Sequence, residues 1–213
     1  MTKVIFKNRS IISFLTLLVS VVMAFNAHAQ DAAQKAPDLV VKDTITAIVT
    51  NIQTNRELYK KDTNALYKMV EDTLVPSLHV KRMAKLILGK KYAKSSSEEQ
   101  IAEFADEFQT FIMKVFAPAL LEYTGDEQIT YEPIDLKPGD DRVKVKGNLI
   151  AANGQSYPVT LSMSNRKDTQ WRAYNIDAAG INFISTYRST FEPTLKKKGI
   201  DGLIADLREK NAL

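Results

Sequence analysis

Past residue 29 the sequence contains no cysteine and one histidine, His79. Thiol nucleophiles are therefore absent, and a zinc or iron site, which draws on several His or Cys ligands, has almost nothing to build on. His79 could serve as one base or one ligand; at the start of a helix it reads as an ordinary half-exposed side chain. The stretch Gly154-Gln155-Ser156-Tyr157-Pro158 comes nearest to a nucleophile elbow. Pro158 stands where the second glycine is required, and the context is a hairpin rather than a strand-to-helix turn. Gly89-Lys90-Lys91 lacks the upstream glycine of a phosphate loop, since position 84 is Ala84, and no G-x-G-x-x-G occurs. Asp140 and Asp141 are adjacent acids beside Pro138-Gly139, whereas glycoside cleavage needs two carboxylates facing each other across a cleft. The residues thus predict no enzyme, no metal and no cofactor, with a small hydrolase as the weakest alternative.

Charge removes a further class. Residues 1–29 hold Lys3, Lys7 and Arg9 and no acid, so the remaining chain carries 26 basic against 25 acidic side chains. Phosphate-backbone binding needs clustered surplus cations, and a nearly balanced chain predicts no nucleic-acid partner. Lys196, Lys197 and Lys198 before Gly199 suit the negative end of a helix better than a binding patch. The basic start, the apolar-rich run over residues 11–25 and the small residues Ala27 and Ala29 read as a secretory signal cut before Gln30. Ser13, Thr16 and Ser20 interrupt that run, which falls short of the roughly 20 apolar residues of a spanning helix. The expected organisation is a signal peptide (residues 1–29), a flexible lead-in (30–37) and one domain (38–213), exported and soluble.

What the sequence supplies in quantity is apolar surface on regular elements. Val41, Ile45, Ile48 and Ile52 recur at helical spacing and predict a helix over about residues 38–54. Leu66, Met69, Val70 and Leu74 give a second helix, capped by Asp62 or Thr63 and ended by Pro76; a third, capped by Ser77, runs to Gly89. Ser97 and Gln100 have capping-box spacing and open a long helix to about Tyr123. At about 100° per residue, Phe104, Phe108, Phe111, Ile112 and Val115 share one face of it. From residue 128 the period becomes two: Val143, Val145 and Leu149, the turn pair Asn153-Gly154, then Tyr157, Val159, Leu161 and Met163, then a strand from Trp171 to Ile176. A helix with Phe183, Tyr187 and Phe191 follows, interrupted by Pro193, and Gly199 precedes a short terminal helix. The order predicts an α+β fold, helices packed on one face of a curved antiparallel meander of about four strands. Periodicity leaves open whether that interior is packed or hollow.

Five segments carry a resemblance. Within residues 82–92, Ala84, Lys85, Leu88, Gly89 and Tyr92 resemble the A-[RK]-x-x-L-G-x-x-[WY] stretch of the MlaC family of toluene-tolerance auxiliary transport proteins. Phe104 and Phe108, with Leu120 and Tyr123, resemble its F-x-x-x-F helix ending in L-x-x-Y. Residues 171–176 resemble W-[KR]-[VA]-Y-[DN]-[VI], residues 180–191 resemble G-[IV]-[SN]-x-[IV]-x-x-Y-R-x-x-F, and residues 199–204 match G-I-D-x-L-I. Asn175, where the family often has Asp, and Tyr92, where Trp is common, are mild departures. The resemblance implies a periplasmic phospholipid carrier moving lipid between an inner-membrane ABC transporter complex and an outer-membrane lipoprotein–porin complex, which maintains outer-membrane lipid asymmetry. The alternative is a periplasmic adaptor or chaperone-like module that binds a protein partner and has no lipid cavity.

On that implication the lipid tails are expected in an apolar cavity between helices and sheet, against Phe104, Phe108, Phe111, Ile112, Val115, Val145, Leu149, Val159, Leu161, Phe183 and Tyr187. Arg188 falls between Ile181 and Ile184 in direction, a cation inside an apolar arc that needs a partner. Three roles stay open for it: an ion pair with Asp177, snorkelling to water, or a two-bond grip on a lipid phosphate at the cavity mouth.

Overall fold

The computed structural model describes residues 35–166 and 170–212; the expected signal peptide and residues 30–34 of the lead-in lie outside them. Helix α1 (Pro37–Lys61) starts with proline in its first turn, where a missing amide costs nothing. Its apolar seam ends near Asn55, whose φ of −117° and ψ of 18° leave the helical region, and the helix then resumes to Lys61. Asp62 caps α2 (Thr63–Leu74), accepting from the Ala65 amide at 3.1 Å, and a 3-10 turn over Val75–Ser77 contains Pro76. Helix α3 (Val80–Ser95) has His79 rather than Ser77 at its N-cap position, with no side-chain capping bond. Gly89, at φ 69° and ψ 169°, is an internal break rather than the predicted end of α3, since helix resumes beyond it. Ser97 and Gln100 form the predicted capping box of α4 (Glu98–Phe116), at 3.1 and 3.0 Å. Pro118 lies in the 3-10 stretch Ala117–Glu122 that replaces the last turns expected of α4.

Lys81 and Lys85 of α3 reach the first residue of α4, binding Glu98 at 2.8 and 2.7 Å. Their hydrogen bonds lower the Glu98 carboxyl from 4.5 to about 2. A carboxylate with a depressed pKa contributes stability that is present above its ordinary pKa and lost as pH falls through the folded value. Glu98→Gln is therefore expected to lower the urea midpoint at neutral pH, and the difference from wild type to vanish between pH 4.5 and about 2. An equal difference at both ends of that window would mean that the ion pairs do not tie α3 to α4.

The sheet runs β1 (Gln128–Tyr131), β2 (Arg142–Ile150), β3 (Ser156–Ser164), β4 (Arg172–Ala178) and β5 (Ile181–Asn182), each antiparallel to the next. The meander is as predicted, with one more strand: Ala179 and Gly180, at φ 50° and 80°, turn the chain tightly enough to pair two further residues. The β2–β3 turn is at Asn153-Gly154. Leu149 opposes Tyr157, and Val145 opposes Leu161, so their side chains share one face; Lys144 and Lys146 stand exposed on the other. Gly147 permits an unusually close approach, since a Cβ there would sit 2.0 Å from the Thr130 carbonyl oxygen of β1.

Helix α5 (Phe183–Ala212) continues through Pro193, contrary to the interruption expected there. Phe191 and Leu195, both buried, hold it on either side of the missing amide, and the actual break is at Gly199 (φ 68°, ψ −168°). Three apolar clusters hold the domain. One joins α3, α4 and α5; a second joins the C-terminal half of α1 to α2; the third packs Val41 of α1 on Val145, Met163 and Ala173 of the sheet and on Trp171 just before β4. The aromatic face of α4, expected against the sheet, meets α5 instead. Phe108 packs edge-on against Tyr187 at 5.1 Å and against Phe191 at 5.8 Å, and Phe104 stacks on Phe108 at 5.8 Å. The two aromatic stripes cover each other in geometries that favour ring pairs.

Candidate functional site

Between α1 and the sheet lies an apolar cavity of about 160 Å³. Val41 and Ile45 close it from α1; Ile129 and Tyr131 of β1, Val145 and Leu149 of β2, and Val159 and Leu161 of β3 line it from the sheet. No lining side chain is charged. Burial pushes the Tyr131 phenol above its ordinary pKa, which keeps it neutral. The register places Ile129 opposite Leu149, and both are more than a third exposed, forming an apolar lip at one end of the cavity. Val145, at the other extreme, is 3% exposed.

The expected lining is thus divided. Val145, Leu149, Val159 and Leu161 come together at this cavity. Phe104 and Phe108 are buried in the helical cluster, and Phe111, Ile112, Phe183 and Tyr187 pack against it. Val115 is 48% exposed and reaches neither. Sequence reasoning missed Val41 and Ile45 as lining, although both lie on the apolar seam that predicted α1, and it missed Ile129 and Tyr131, whose alternation in a short strand was the available signal.

Arg188 is exposed and does not line the cavity. Its Nε donates to the Leu86 carbonyl oxygen at 3.1 Å, and Nη2 donates to the same atom. The break at Gly89 explains the need, because carbonyls in the turn before a helix break lack amide partners. Asp177, the ion-pair partner considered above, accepts from Asn182 Nδ2 at 2.7 Å and Asn175 Nδ2 at 3.3 Å. Arg188→Lys keeps the charge and loses the fork, so it is expected to cost about 1 kcal/mol of stability. Lipid content per folded molecule should not change; loss of lipid at an unchanged melting temperature would contradict the anchoring role.

Neither of the other candidate groups forms a site. The His79 amide donates to Ala173 O at 2.8 Å and its Nε2 lies 3.1 Å from Ser164 O, tying the start of α3 to the sheet. Asp140 caps its own turn by accepting from the Lys137 amide at 2.9 Å, while Asp141 lies 3.1 Å from Arg166 Nε. Among the described residues there is no cluster of His, Cys, Asp and Glu able to hold a metal, and no helix long and apolar enough to cross a membrane.

Comparison with known proteins gives a concordant result. The toluene tolerance protein ttg2D of Pseudomonas putida is 31% identical over 172 residues, 79% of this chain and 77% of its own. The intermembrane phospholipid transport system binding protein MlaC of Haemophilus influenzae is 28% identical over 201 residues, 92% of each chain. Among solved structures, the phospholipid-binding protein of Ralstonia solanacearum in complex with a phospholipid superposes with a TM-score of 0.74 at 22% identity, covering 84% of this chain and 98% of that one. The family model described as MlaC protein matches residues 42–209, nearly the whole described domain, and the chain belongs to the MlaC family.

Proposed function

We propose that the chain is a periplasmic phospholipid carrier whose cargo tails enter the cavity between α1 and the sheet. The observation that carries this reading is the uncharged lining of that cavity, open at the exposed lip of Ile129 and Leu149. Support comes from the relatives: one is named for phospholipid transport, and the similar fold from Ralstonia holds a phospholipid. A two-chain lipid exposes about 30 methylenes, on the order of 25 kcal/mol of apolar hydration at about 0.8 kcal/mol each, so crossing water needs a carrier. The route runs between an inner-membrane ABC transporter complex and an outer-membrane lipoprotein–porin complex, and the mature chain starts at Gln30.

The cavity as it stands is smaller than the roughly 300–1,000 Å³ of sites for drug-sized ligands, so tails must part α1 from the sheet. The N-terminal half of α1 touches the sheet through Val41 and Ile45, whereas its C-terminal half is held independently. There Arg56 Nη1 donates to Leu121 O at 2.7 Å and Nη2 donates to Tyr123 O, with Asn55 irregular just before it. Opening is a lift of the first half on a fixed second half. Extraction of the exported, purified protein with organic solvent should return stoichiometric phospholipid, and intact mass should place the N-terminus at Gln30. A lipid-free protein would favour the adaptor reading instead.

A further inference from the structure

Helices α3 and α5 meet along a groove of about 770 Å³ that shares no lining residue with the sheet cavity. Its floor is apolar: Leu86, Tyr92 and Ala93 are half-buried there, backed by the buried Leu88 and Leu195. Its rim is cationic: Lys90, Lys91 and Lys94 stand exposed on the α3 wall and Lys196 on the α5 wall. The one carboxylate among the lining residues, Glu192, is occupied by Lys196 at 2.6 Å. Lys90, Lys91 and Lys94 form no ion pair with any described residue, though the Lys91 ammonium lies 5.1 Å from the centre of the Tyr92 ring. On a chain with 26 basic and 25 acidic residues past its expected signal, such a surplus is local rather than global. Arg188 ties the two walls together through the Leu86 carbonyl.

We infer that this groove docks an acidic amphipathic segment of a partner protein, its carboxylates on the lysine rim and its apolar side chains over Leu86, Tyr92 and Ala93. Charge complementarity selects an anionic occupant, and shape selects among anions. A bilayer presents a broad surface that a concave floor does not reach, whereas a chain segment lies along a groove and buries apolar side chains in it. A lone phosphate would be gripped best by a guanidinium fork, and both forks among the lining residues are engaged, Arg188 by the Leu86 carbonyl and Arg82 over the Tyr174 ring at 3.6 Å. Lys90 and Lys94 are one turn apart, about 6 Å along a helix, with Lys91 beside them, a spacing for several carboxylates rather than one anion. Such rim charges act mainly on association rate and partner choice, and they are screened by salt. The inference holds whether or not the sheet cavity carries lipid.

The test uses the mature protein and a labelled Glu- and Ala-rich peptide of about four helical turns with Leu at helical spacing, read by fluorescence anisotropy. Saturable binding is expected, weakened severalfold between about 50 and about 200 mM salt. Lys90→Glu with Lys94→Glu should weaken it about tenfold at an unchanged melting temperature. The equally charged control Lys42→Glu with Lys144→Glu, exposed positions outside the groove, should change it less than about twofold. Equal losses in the two double variants would overturn the inference in favour of bulk charge. Absence of peptide binding would overturn it, and capture of phosphatidylglycerol vesicles in its place would do so in favour of a membrane surface. Displacement of the peptide by millimolar inorganic phosphate, or equal binding of a peptide with Leu replaced by Ala, would also overturn it.

Discussion

Phe104→Ala is expected to lower the unfolding free energy by about 3–5 kcal/mol, the range for removing a fully buried phenylalanine. Phe104 has no exposed surface; it stacks on Phe108 and meets Phe191 edge-on at 6.1 Å, so truncation leaves a void where α4 and α5 join. A domain of ordinary stability, about 5–15 kcal/mol, loses a large share of it. Urea unfolding followed by circular dichroism would show a lower midpoint at a similar slope. Lipid content per folded molecule should stay near wild type, because Phe104 belongs to the helical cluster and not to the sheet cavity. A variant that folds as well as wild type while losing its lipid would return the aromatic face of α4 to the binding site.

Val159→Trp should have the opposite profile. Val159 is half-buried, sits between Gly147 and Ala178 in the sheet, and projects into the cavity. An indole there occupies open space, so the stability cost is expected at or below the low end of the roughly 1–3 kcal/mol seen for overpacked cores. On the seating proposed above, the same ring takes the room of the first tail methylenes, and bound phospholipid should fall severalfold. Position within the cavity sharpens the expectation. Leu149→Trp at the exposed lip should be tolerated with partial lipid loss, whereas Val145→Trp at the sealed end should cost the full penalty. Equal destabilisation by all three would indicate a packed interface between α1 and the sheet, and lipid retention by all three would place the tails elsewhere.

Much of the local structure was legible because it is decided by neighbours in sequence. Asp62 and the Ser97–Gln100 pair cap the helices they were expected to cap, since capping needs only side chains within a few residues of the amides they satisfy. The alternation around Asn153-Gly154 gave a hairpin whose register follows from its turn. Gly89 was recognisable as a discontinuity, but whether the chain stops or bends there depends on what lies beyond. A helix resumes there, and Arg188, about a hundred residues later in sequence, supplies donors to the Leu86 carbonyl before the break.

By itself, then, the sequence determined the α+β order, the family and the apolar faces. Each of these is a property of residue types at fixed spacing. Tertiary structure decided what each apolar face meets. Periodicity shows that Phe104 and Phe108 share a stripe, but the same stripe would serve against a sheet, a helix or a lipid. Only the return of α5, with Phe183, Tyr187 and Phe191 in ring-pairing positions, commits it to a helical core. That pairing leaves α1, through Val41 and Ile45, to cover the sheet, and the incomplete fit between those two side chains and a strand face opened by Gly147 is the cavity. Apolar burial is non-directional and rewards whichever partner the chain path brings within reach, which is why it cannot be read from one segment alone.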